Sequence, residues 1–251
     1  MKPKERNKII LIILVLILVV VNYSFFDESL EKFLENSETG IVQRVIDGDT
    51  VEINNESVRL LGINCPEKGE YLYEEAKEFL EEKILRQEVE MYFGKDKYDK
   101  YHRKLAYLYF ENKNVNLEIV EKGFANFYFP SGKDAYYPKF YSAWEKCLQY
   151  EKNLCEKSNS KCFNCISLEE LNIGEQVVVL KNNCDFDCDL TNWEIKDEGR
   201  KKFVFENLIL KSEESVNISA EDFEEEYVWT KSGDSLFLRD SETKLVLWKS
   251  Y

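Results

Sequence analysis

Five charged or amide side chains lie beside strand-like runs in the first half of the chain. Asp49 falls in the turn signal IDGDT, and Arg59 lies inside the apolar run VRLLGI. That run leads into NCPE, which contains Asn64 and Glu67, and Arg103 comes just before the run KLAYLYF. Alone, IDGDT is typical of a hairpin turn, but an arginine within a buried-looking strand needs an anionic partner. The five residues together match the needs of phosphodiester hydrolysis.

These residue types favour a calcium site next to a general base. Calcium takes oxygen atoms from carboxylates, amides, backbone carbonyls and water, so Asp49, the Asn64 side chain and the Cys65 carbonyl are candidate ligands. Glu67 is the candidate general base for a water that attacks phosphorus. Arg59 and Arg103 are candidate clamps, since guanidinium groups bind phosphate oxygens in pairs and stabilise transition-state charge.

The runs around these residues predict a small β-barrel with helices packed around it. IVQRVI, TVEI and VRLLGI are short strands separated by turn signals, and VEMYF and KLAYLYF follow later. Helical spacing covers residues 70–87, the segment NVNLEIVEKG that stops at Gly123, and residues 137–151. Three strands, one helix, two strands and two helices is the element order of an α+β, OB-type five-stranded barrel.

Four ordered motifs within residues 41–155 carry a family resemblance. VIDGDTV, VRLLGINCPE, DKYHRKLAY and EKGFANFY resemble the staphylococcal nuclease (thermonuclease-like) family. The resemblance implies an OB-type barrel and calcium-dependent endonucleolytic cleavage of DNA and RNA. It matches Asp49 and Asn64 to the metal-ligand positions and Glu67 to the general base. Arg59 and Arg103 match the two phosphate clamps.

The resemblance also assigns three further residues, and two positions depart from the family pattern. It places Asp47 near the metal, and Lys100 with Tyr101 beside the terminal phosphate of the substrate. Asn64 stands where the family has a second acidic ligand, so a negative charge is lost and we expect weaker calcium binding. Cys65 replaces a threonine, and this change should be tolerated because the position contributes its backbone carbonyl.

Residues 166–251 predict a second, all-β domain. Short strand-like runs lie at the spacing of a β-sandwich, and no helical pattern is evident. The segments EQVVVLKNNC, DLTNWEIKDE and GDSLFLRDSETKLVLWKSY resemble the lamin-tail domain, which implies an immunoglobulin-like sandwich with a binding or localising role. Trp193 and Trp248 are predicted to be core anchors rather than ligand platforms.

The formal net charge of −14 argues against a protein that grips nucleic acid over a broad basic face. Residues 166–251 hold 20 acidic and 10 basic side chains (net −10), which leaves 28 acidic and 24 basic before them (net −4). Nucleic-acid contacts must be local, and the second domain favours a protein or surface partner. The single histidine, His102, is predicted to be exposed, and it excludes HNH and paired-histidine nucleases and HExxH zinc sites.

The first 26 residues predict a membrane anchor. Four basic side chains within residues 1–8 precede the apolar run 9–21, and no A-x-A cleavage site follows. With the aromatic residues up to position 26, the run approaches the roughly 20 residues that a bilayer requires. The charge asymmetry places the remaining chain outside the cytoplasm, after a linker at residues 27–40. Cleavage would make the protein secreted, and a buried N-terminal core helix is the alternative.

Six of the seven cysteines fall within residues 147–188, in or beside a Cys-rich linker at residues 158–165. This linker separates the thermonuclease-like domain, residues 41–157, from the domain at residues 166–251. In an exported chain the cluster predicts disulfides, in one of about 15 pairings. A zinc site that uses Cys162 and Cys165 is the alternative.

Two functions remain open from the sequence. The first is an exported, membrane-tethered, calcium-dependent endonuclease that acts on DNA and RNA. The second is a nuclease-fold domain with little turnover that binds nucleic acid or a surface partner. The joint presence of Arg59, Glu67 and Arg103 favours the enzyme, whereas Asn64 favours the binder. The N-terminal segment and the cysteines disfavour an intracellular RNA-processing factor.

Overall fold

The computed structural model describes residues 37–251, together with residues 5, 8 and 11–14. Most of the predicted anchor (residues 1–26) and residues 27–36 of the predicted linker lie outside the described residues. Within the described ranges, no helix combines the length and apolar character that crossing a bilayer requires. The anchor therefore stays a prediction.

Five strands of the first domain close into a barrel, which confirms the predicted architecture. The first eight strands are β1 (Ser37–Asp47), β2 (Thr50–Ile53), β3 (Glu56–Leu60), β4 (Ile63–Asn64), β5 (Glu88–Tyr98), β6 (Lys104–Phe110), β7 (Lys113–Asn114) and β8 (Asn126–Phe127). β1, β2, β3, β5 and β6 form one sheet, and the parallel pair of β3 with β6 closes it. Because β1 begins at Ser37, the last residues of the predicted linker belong to the barrel.

Alternation of apolar residues along these strands fills the barrel. Val42, Val51, Val58 and Leu108 are fully buried, each on a different strand. Since successive strand residues point to opposite faces, this pattern fixes which side of each strand faces the core. The polar ends of the strands are thereby left at the rim, where the predicted site residues lie.

Three helices pack on the barrel near their predicted positions. They are α1 (Tyr73–Ile84), α2 (Val115–Glu121) and α3 (Tyr137–Tyr150). α1 buries Ala76, Leu80 and Ile84 on one face, as its spacing predicts. The side chain of Asn114 caps the start of α2 by accepting a hydrogen bond from the Leu117 N–H.

The predicted strand VRLLGI is not continuous. β3 ends at Leu60 and β4 begins at Ile63, because Gly62 adopts a left-handed backbone with φ 75°. β4 then pairs with β8, and Asn64 lies directly opposite Asn126 in this ladder. The break turns the chain away from the barrel wall and places Asn64 at the rim.

The second domain is built from β-strands, as predicted. Its strands are β9 (Ile166–Asn172), β10 (Val177–Asn182), β11 (Cys188–Asp189), β12 (Glu194–Lys196), β13 (Lys202–Val204), β14 (Ile209–Leu210), β15 (Ser215–Ser219), β16 (Ser235–Arg239) and β17 (Leu245–Ser250). They form sheets of order β15-β10-β9, β13-β12-β16-β17 and β11-β14. The runs recognised as strands in the sequence begin at residue 176 and do not include β9 or β11. Among the described elements of this domain, the one helical segment is a 3₁₀ turn at Ala220–Phe223.

The six clustered cysteines form three disulfides, which contradicts the alternative of a zinc site. Their pairs are Cys147–Cys155, Cys162–Cys188 and Cys165–Cys184. Both thiols required for the zinc alternative are therefore consumed in bonds. The second and third bonds attach the Cys-rich linker to the β10–β11 region of the second domain. Cys65 is buried and unpaired.

The two domains share an aromatic interface. The Trp144 ring centroid on α3 lies 5.5 Å from that of Phe237 and 6.3 Å from that of Trp248. Trp248 also lies 5.5 Å from Tyr141. Trp193 lies in the core of the second domain as predicted, whereas Trp248 packs mainly on the first domain's core. This interface is one of the contacts that join the second domain to the first.

Counting reactive thiols tests the disulfide arrangement. We expect one cysteine, Cys65, to react with iodoacetamide in unfolded, unreduced protein, and all seven to react after reduction. Intact-mass spectrometry gives both counts. Three or more reactive thiols before reduction, with release of zinc, would contradict the structure.

Candidate active site

Asp49 connects the two loops that carry the predicted site. It follows β1, and its N–H donates to Asp47 Oδ1 at 3.0 Å. Its own Oδ2 accepts the Cys65 N–H at 3.0 Å, and its Oδ1 accepts the Thr50 hydroxyl at 3.1 Å. The turn between β1 and β2 is thereby fixed to the NCPE segment, residues 64–67.

Arg59 has the anionic partner that its position in a strand predicts. Its Nη1 lies 3.0 Å from Asp49 Oδ2, and the guanidinium also donates to the carbonyls of Leu60 and Ile63 at 3.1 and 3.0 Å. Only 8% of Arg59 is exposed. Burial raises the pKa of Asp49 to about 6, against the opposing effect of Arg59. Arg59 therefore organises the loops around Asp49.

Gly48 allows the turn to approach α1. A Cβ atom at this position would lie 2.8 Å from the Ala76 Cβ and 2.9 Å from the Cys65 Sγ. Cys65 is 3% exposed, and burial raises the pKa of its thiol well above the usual value. The turn is thus packed closely against α1 and the Cys65 side chain. Because that side chain is buried, Cys65 can contribute only its backbone to the site.

The residues of the NCPE segment contact the second domain. The Asn64 Nδ2 donates to the Gly199 carbonyl at 2.8 Å. One Glu67 oxygen lies 2.5 Å from the Arg200 guanidinium. Glu70, a second carboxylate on this loop, accepts the Glu67 N–H at 2.9 Å. The helix predicted over residues 70–87 begins only at Tyr73, which is why Glu70 shares this loop with Glu67.

Arg103, Lys100 and Tyr101 lie together on the turn between β5 and β6. The Arg103 Nε is 2.7 Å from Asp99 Oδ2, and its guanidinium lies over the Tyr101 ring. Burial acts to raise the pKa of Asp99, but hydrogen bonds from Arg103 lower it overall. Among the described contacts, none joins Arg103 to the cluster around Asp49. His102 is exposed in the same turn with φ 61°.

The oxygen atoms around Asp49 fit a hard cation in their chemistry. Asp47 and Asp49 supply carboxylates, and Asn64 and Cys65 supply an amide and a carbonyl oxygen on the adjoining segment. Asp47 adds to the raised pKa of Asp49, a repulsion that a cation would relieve. Within the described part of the chain, no three histidine, cysteine or acidic side chains are grouped as a ready-made metal centre. With two carboxylates, one amide and one backbone carbonyl, the donor set carries less negative charge than a site with three carboxylates.

Sequence reasoning missed four residues near this site. Asn126 and Tyr128 lie within the motif EKGFANFY, so a signal for them was present. Burial, then Asp197, raises the pKa of Tyr128, while Arg59 acts to lower it. Gly199 and Arg200 belong to the second domain, where nothing in the local pattern points to a contact 135 residues away.

Three buried acidic residues lie behind Gly199 and Arg200. Burial raises the pKa of Asp197 and of Glu198 to about 7, and it also raises the pKa of Asp234. Asp197 Oδ1 accepts the Lys201 N–H at 3.0 Å, and Asp234 Oδ1 accepts the Glu198 N–H at 3.2 Å. These hydrogen bonds hold the turn at residues 197–201 in shape.

Comparisons with known proteins concern mainly the first domain. Residues 57–157 match the family described as staphylococcal nuclease homologue. The chain is 28% identical over 130 residues to a thermonuclease of Staphylococcus intermedius, which covers 48% of this chain and 77% of the relative. It is 28% identical over 161 residues to a thermonuclease of Staphylococcus hyicus, covering 57% and 94%. An uncharacterized endonuclease of Haemophilus influenzae is 34% identical over 89 residues, covering 34% and 49%. These matches support a staphylococcal nuclease-like domain with an OB-type barrel.

Gly48→Ala tests the close packing beneath the site. The added methyl group has no room beside Ala76 and Cys65, so we expect a loss of about 1–3 kcal/mol in the free energy of unfolding. Gly174→Ala is the control, because the nearest atom would lie 3.5 Å from its Cβ. Urea denaturation measures both, and equal stability of the two variants would contradict the packing.

The raised pKa of Asp197 predicts a pH-dependent stability. Between about pH 4 and pH 7 the folded protein keeps a proton that the unfolded chain releases, so stability falls as the pH rises through this window. Asp197→Asn should remove on the order of 2–4 kcal/mol of this fall. Urea denaturation at pH 4.5 and pH 8 measures it, with the exposed Asp185→Asn as control. Identical pH slopes in wild type and Asp197→Asn would rule the effect out.

Proposed function

We propose that this chain is a calcium-dependent nuclease that hydrolyses phosphodiester bonds of DNA and RNA. The observation that supports it most is the meeting of the Asp49–Arg59 ion pair with the NCPE segment, which carries Glu67. The similarity of residues 57–157 to staphylococcal nuclease homologues supports the same reaction.

Four residues would hold the calcium ion. They are Asp49, Asp47, Asn64 through its side-chain oxygen, and Cys65 through its backbone carbonyl. When bound, the ion supplies positive charge that polarises the phosphate. Because Asn64 is neutral, we expect weaker calcium binding than a carboxylate at the same position would give.

The protein's own side chains would complete the reaction. Glu67 would accept a proton from the attacking water, and its partly exposed side chain leaves room for that water. Arg59 and Arg103 would stabilise the charge that develops on the phosphate oxygens. Their present carboxylate partners, Asp49 and Asp99, keep both guanidinium groups oriented. Lys100 and Tyr101 would lie beside the terminal phosphate.

The alternative is a domain that binds nucleic acid or a surface partner with little turnover. The neutral ligand Asn64 favours it, and so does the pairing of Glu67 with Arg200. Both observations weaken catalysis without removing the site, so a slow nuclease and a binder differ in rate rather than in architecture.

Export and membrane tethering are part of the proposal. Three disulfides are typical of an oxidising compartment, which supports an extracytoplasmic location. We also propose that the second domain is a lamin-tail-like domain with an immunoglobulin-like sandwich fold. Its net charge of −10, from 20 acidic and 10 basic side chains, favours a protein or surface partner over nucleic acid.

Glu67→Gln tests the general base. We expect the calcium-dependent cleavage rate of the full chain to fall by about 10²–10⁴. Glu70→Gln is the matched control: it removes the same charge from the same loop and keeps an acceptor for the Glu67 N–H. A fluorogenic oligonucleotide assay, with calcium or with a chelator, gives both rates.

Two results would count against the proposal. Cleavage that continues unchanged in Glu67→Gln would remove Glu67 from the reaction. Cleavage that is indifferent to the chelator would remove calcium, while leaving the assignment of Glu67 to be decided by the first comparison.

A further inference from the structure

The turn between β12 and β13, residues 197–201, lies over the candidate active site. Three successive residues of this turn contact the first domain: Glu198, Gly199 and Arg200. Each contacts a different residue on the rim of the barrel. The contacts join segments that are far apart in the chain and belong to different domains.

Two of the contacts are paired hydrogen bonds. Asn64 and Asn126 lie opposite each other in the β4–β8 ladder, and both side-chain amides point to the turn. Asn64 donates to the Gly199 carbonyl and Asn126 to the Glu198 carbonyl, each at 2.8 Å. Asn64 is 2% exposed and Asn126 is 5% exposed. Successive carbonyls of the turn thus dock on neighbouring amides of the barrel.

The third contact engages the proposed general base. The Arg200 guanidinium lies 2.5 Å from a Glu67 oxygen. A guanidinium bound to this carboxylate occupies an oxygen that the attacking water would have to reach. Arg200 thus competes with the reaction for the same atoms.

Access to the site is restricted in this arrangement. Asp49, Arg59 and Asn64 are 5%, 8% and 2% exposed. A nucleic-acid strand must reach this region to bring its phosphate to the metal ligands and to Arg59. The backbone of Gly199, itself buried, stands against Asn64. The turn therefore has to move before a strand can enter.

The turn is held in shape by its own domain. The Asp197 N–H donates to the Lys201 carbonyl and the Lys201 N–H donates to Asp197 Oδ1, each at 3.0 Å, while the Glu198 carboxylate accepts the Ser235 hydroxyl at 2.8 Å. It contacts the barrel as a preformed unit, so it can leave without losing its own structure.

We propose that the 197–201 turn is an intramolecular inhibitor of the nuclease site. It blocks the site by binding Asn64, Asn126 and Glu67, and it is displaced when the second domain shifts or when nucleic acid competes for the rim. This inference rests on the proposed function of the site.

The sign of one substitution separates this proposal from a simpler role for Arg200. If Arg200 contacted substrate phosphate, its removal would weaken binding and slow cleavage. If it holds the turn closed, its removal exposes Glu67 and speeds cleavage, although a positive charge is lost near a polyanion.

The test compares four variants of the full chain, one of which, Arg200→Lys, keeps the positive charge at position 200. Arg200→Ala removes the contact with Glu67, and Asn126→Ala removes the hydrogen bond to Glu198. Lys201→Ala is the matched control: it removes the same charge from the same turn, and the Lys201 ammonium forms its ion pair with Glu225 and its hydrogen bond with the Tyr227 carbonyl, both within its own domain. Calcium-dependent cleavage and binding of a non-cleavable phosphorothioate oligonucleotide are measured for each.

We expect cleavage and oligonucleotide affinity to rise roughly two- to fivefold in Arg200→Ala, since its ion pair is partly exposed. Asn126→Ala should give a rise of about fivefold, because its hydrogen bond is buried. Lys201→Ala should match the wild type, and Arg200→Lys should restore the lower rate.

Three other results would decide against the inhibitor, the nuclease, or both. Cleavage by the wild type with equal or lower rates in both variants would overturn the inhibitor and keep the nuclease. If Arg200→Ala and Asn126→Ala bind the oligonucleotide more tightly but no protein cleaves it, the 197–201 turn blocks the site as proposed, and the nuclease proposal is overturned. Absence of both cleavage and binding in every variant would overturn both.

Discussion

The buried ion pair between Asp49 and Arg59 is the interaction on which the rest of the site depends. It joins the turn after β1 to the strand that precedes the NCPE segment, and the same carboxylate accepts the Cys65 N–H. Removing one partner of such a pair costs about 3–5 kcal/mol, because the other charge is left buried. The pair is sustained by further hydrogen bonds to carbonyls, which satisfy most of the guanidinium. Structure and proposed chemistry therefore use the same two side chains.

Several side chains of the proposed site also form contacts that hold the folded chain together. Charged groups of the proposed site are already paired within the chain: Arg59 with Asp49, Glu67 with Arg200, and Arg103 with Asp99. Asn64 donates its Nδ2 to the Gly199 carbonyl, a bond that does not use the oxygen proposed for the cation. Binding of a ligand is then an exchange of partners rather than the filling of an open cleft. Such an exchange is less favourable than binding to free groups, but it keeps charged side chains satisfied in a protein that carries a net charge of −14.

Much of the fold could be predicted from the sequence because it follows from local patterns. The alternation in IVQRVI and KLAYLYF predicts strands, and the position of Arg59 within an apolar run predicts its buried anion. The break at Gly62 was missed because a left-handed glycine leaves no mark on hydrophobic alternation. The contacts of Glu198 and Gly199 with the barrel could not be predicted, since they use backbone carbonyls and carry no side-chain signature. Trp248 was predicted to anchor the core of the second domain, but it packs mainly on the core of the first. A prediction that a residue is buried does not tell which domain supplies its neighbours.

The aromatic interface also imposes an order on biosynthesis. All five barrel strands and α3, which carries Trp144, leave the ribosome before β16 and β17, which carry Phe237 and Trp248. β12 pairs with β16, so the 197–201 turn gains its support only when these last strands are in place. A nascent chain would thus pass through a stage in which the barrel is folded and its rim is bare. The strands that support the 197–201 turn would then be the last part of the chain to be synthesised, so the turn could cover the rim only once synthesis is complete.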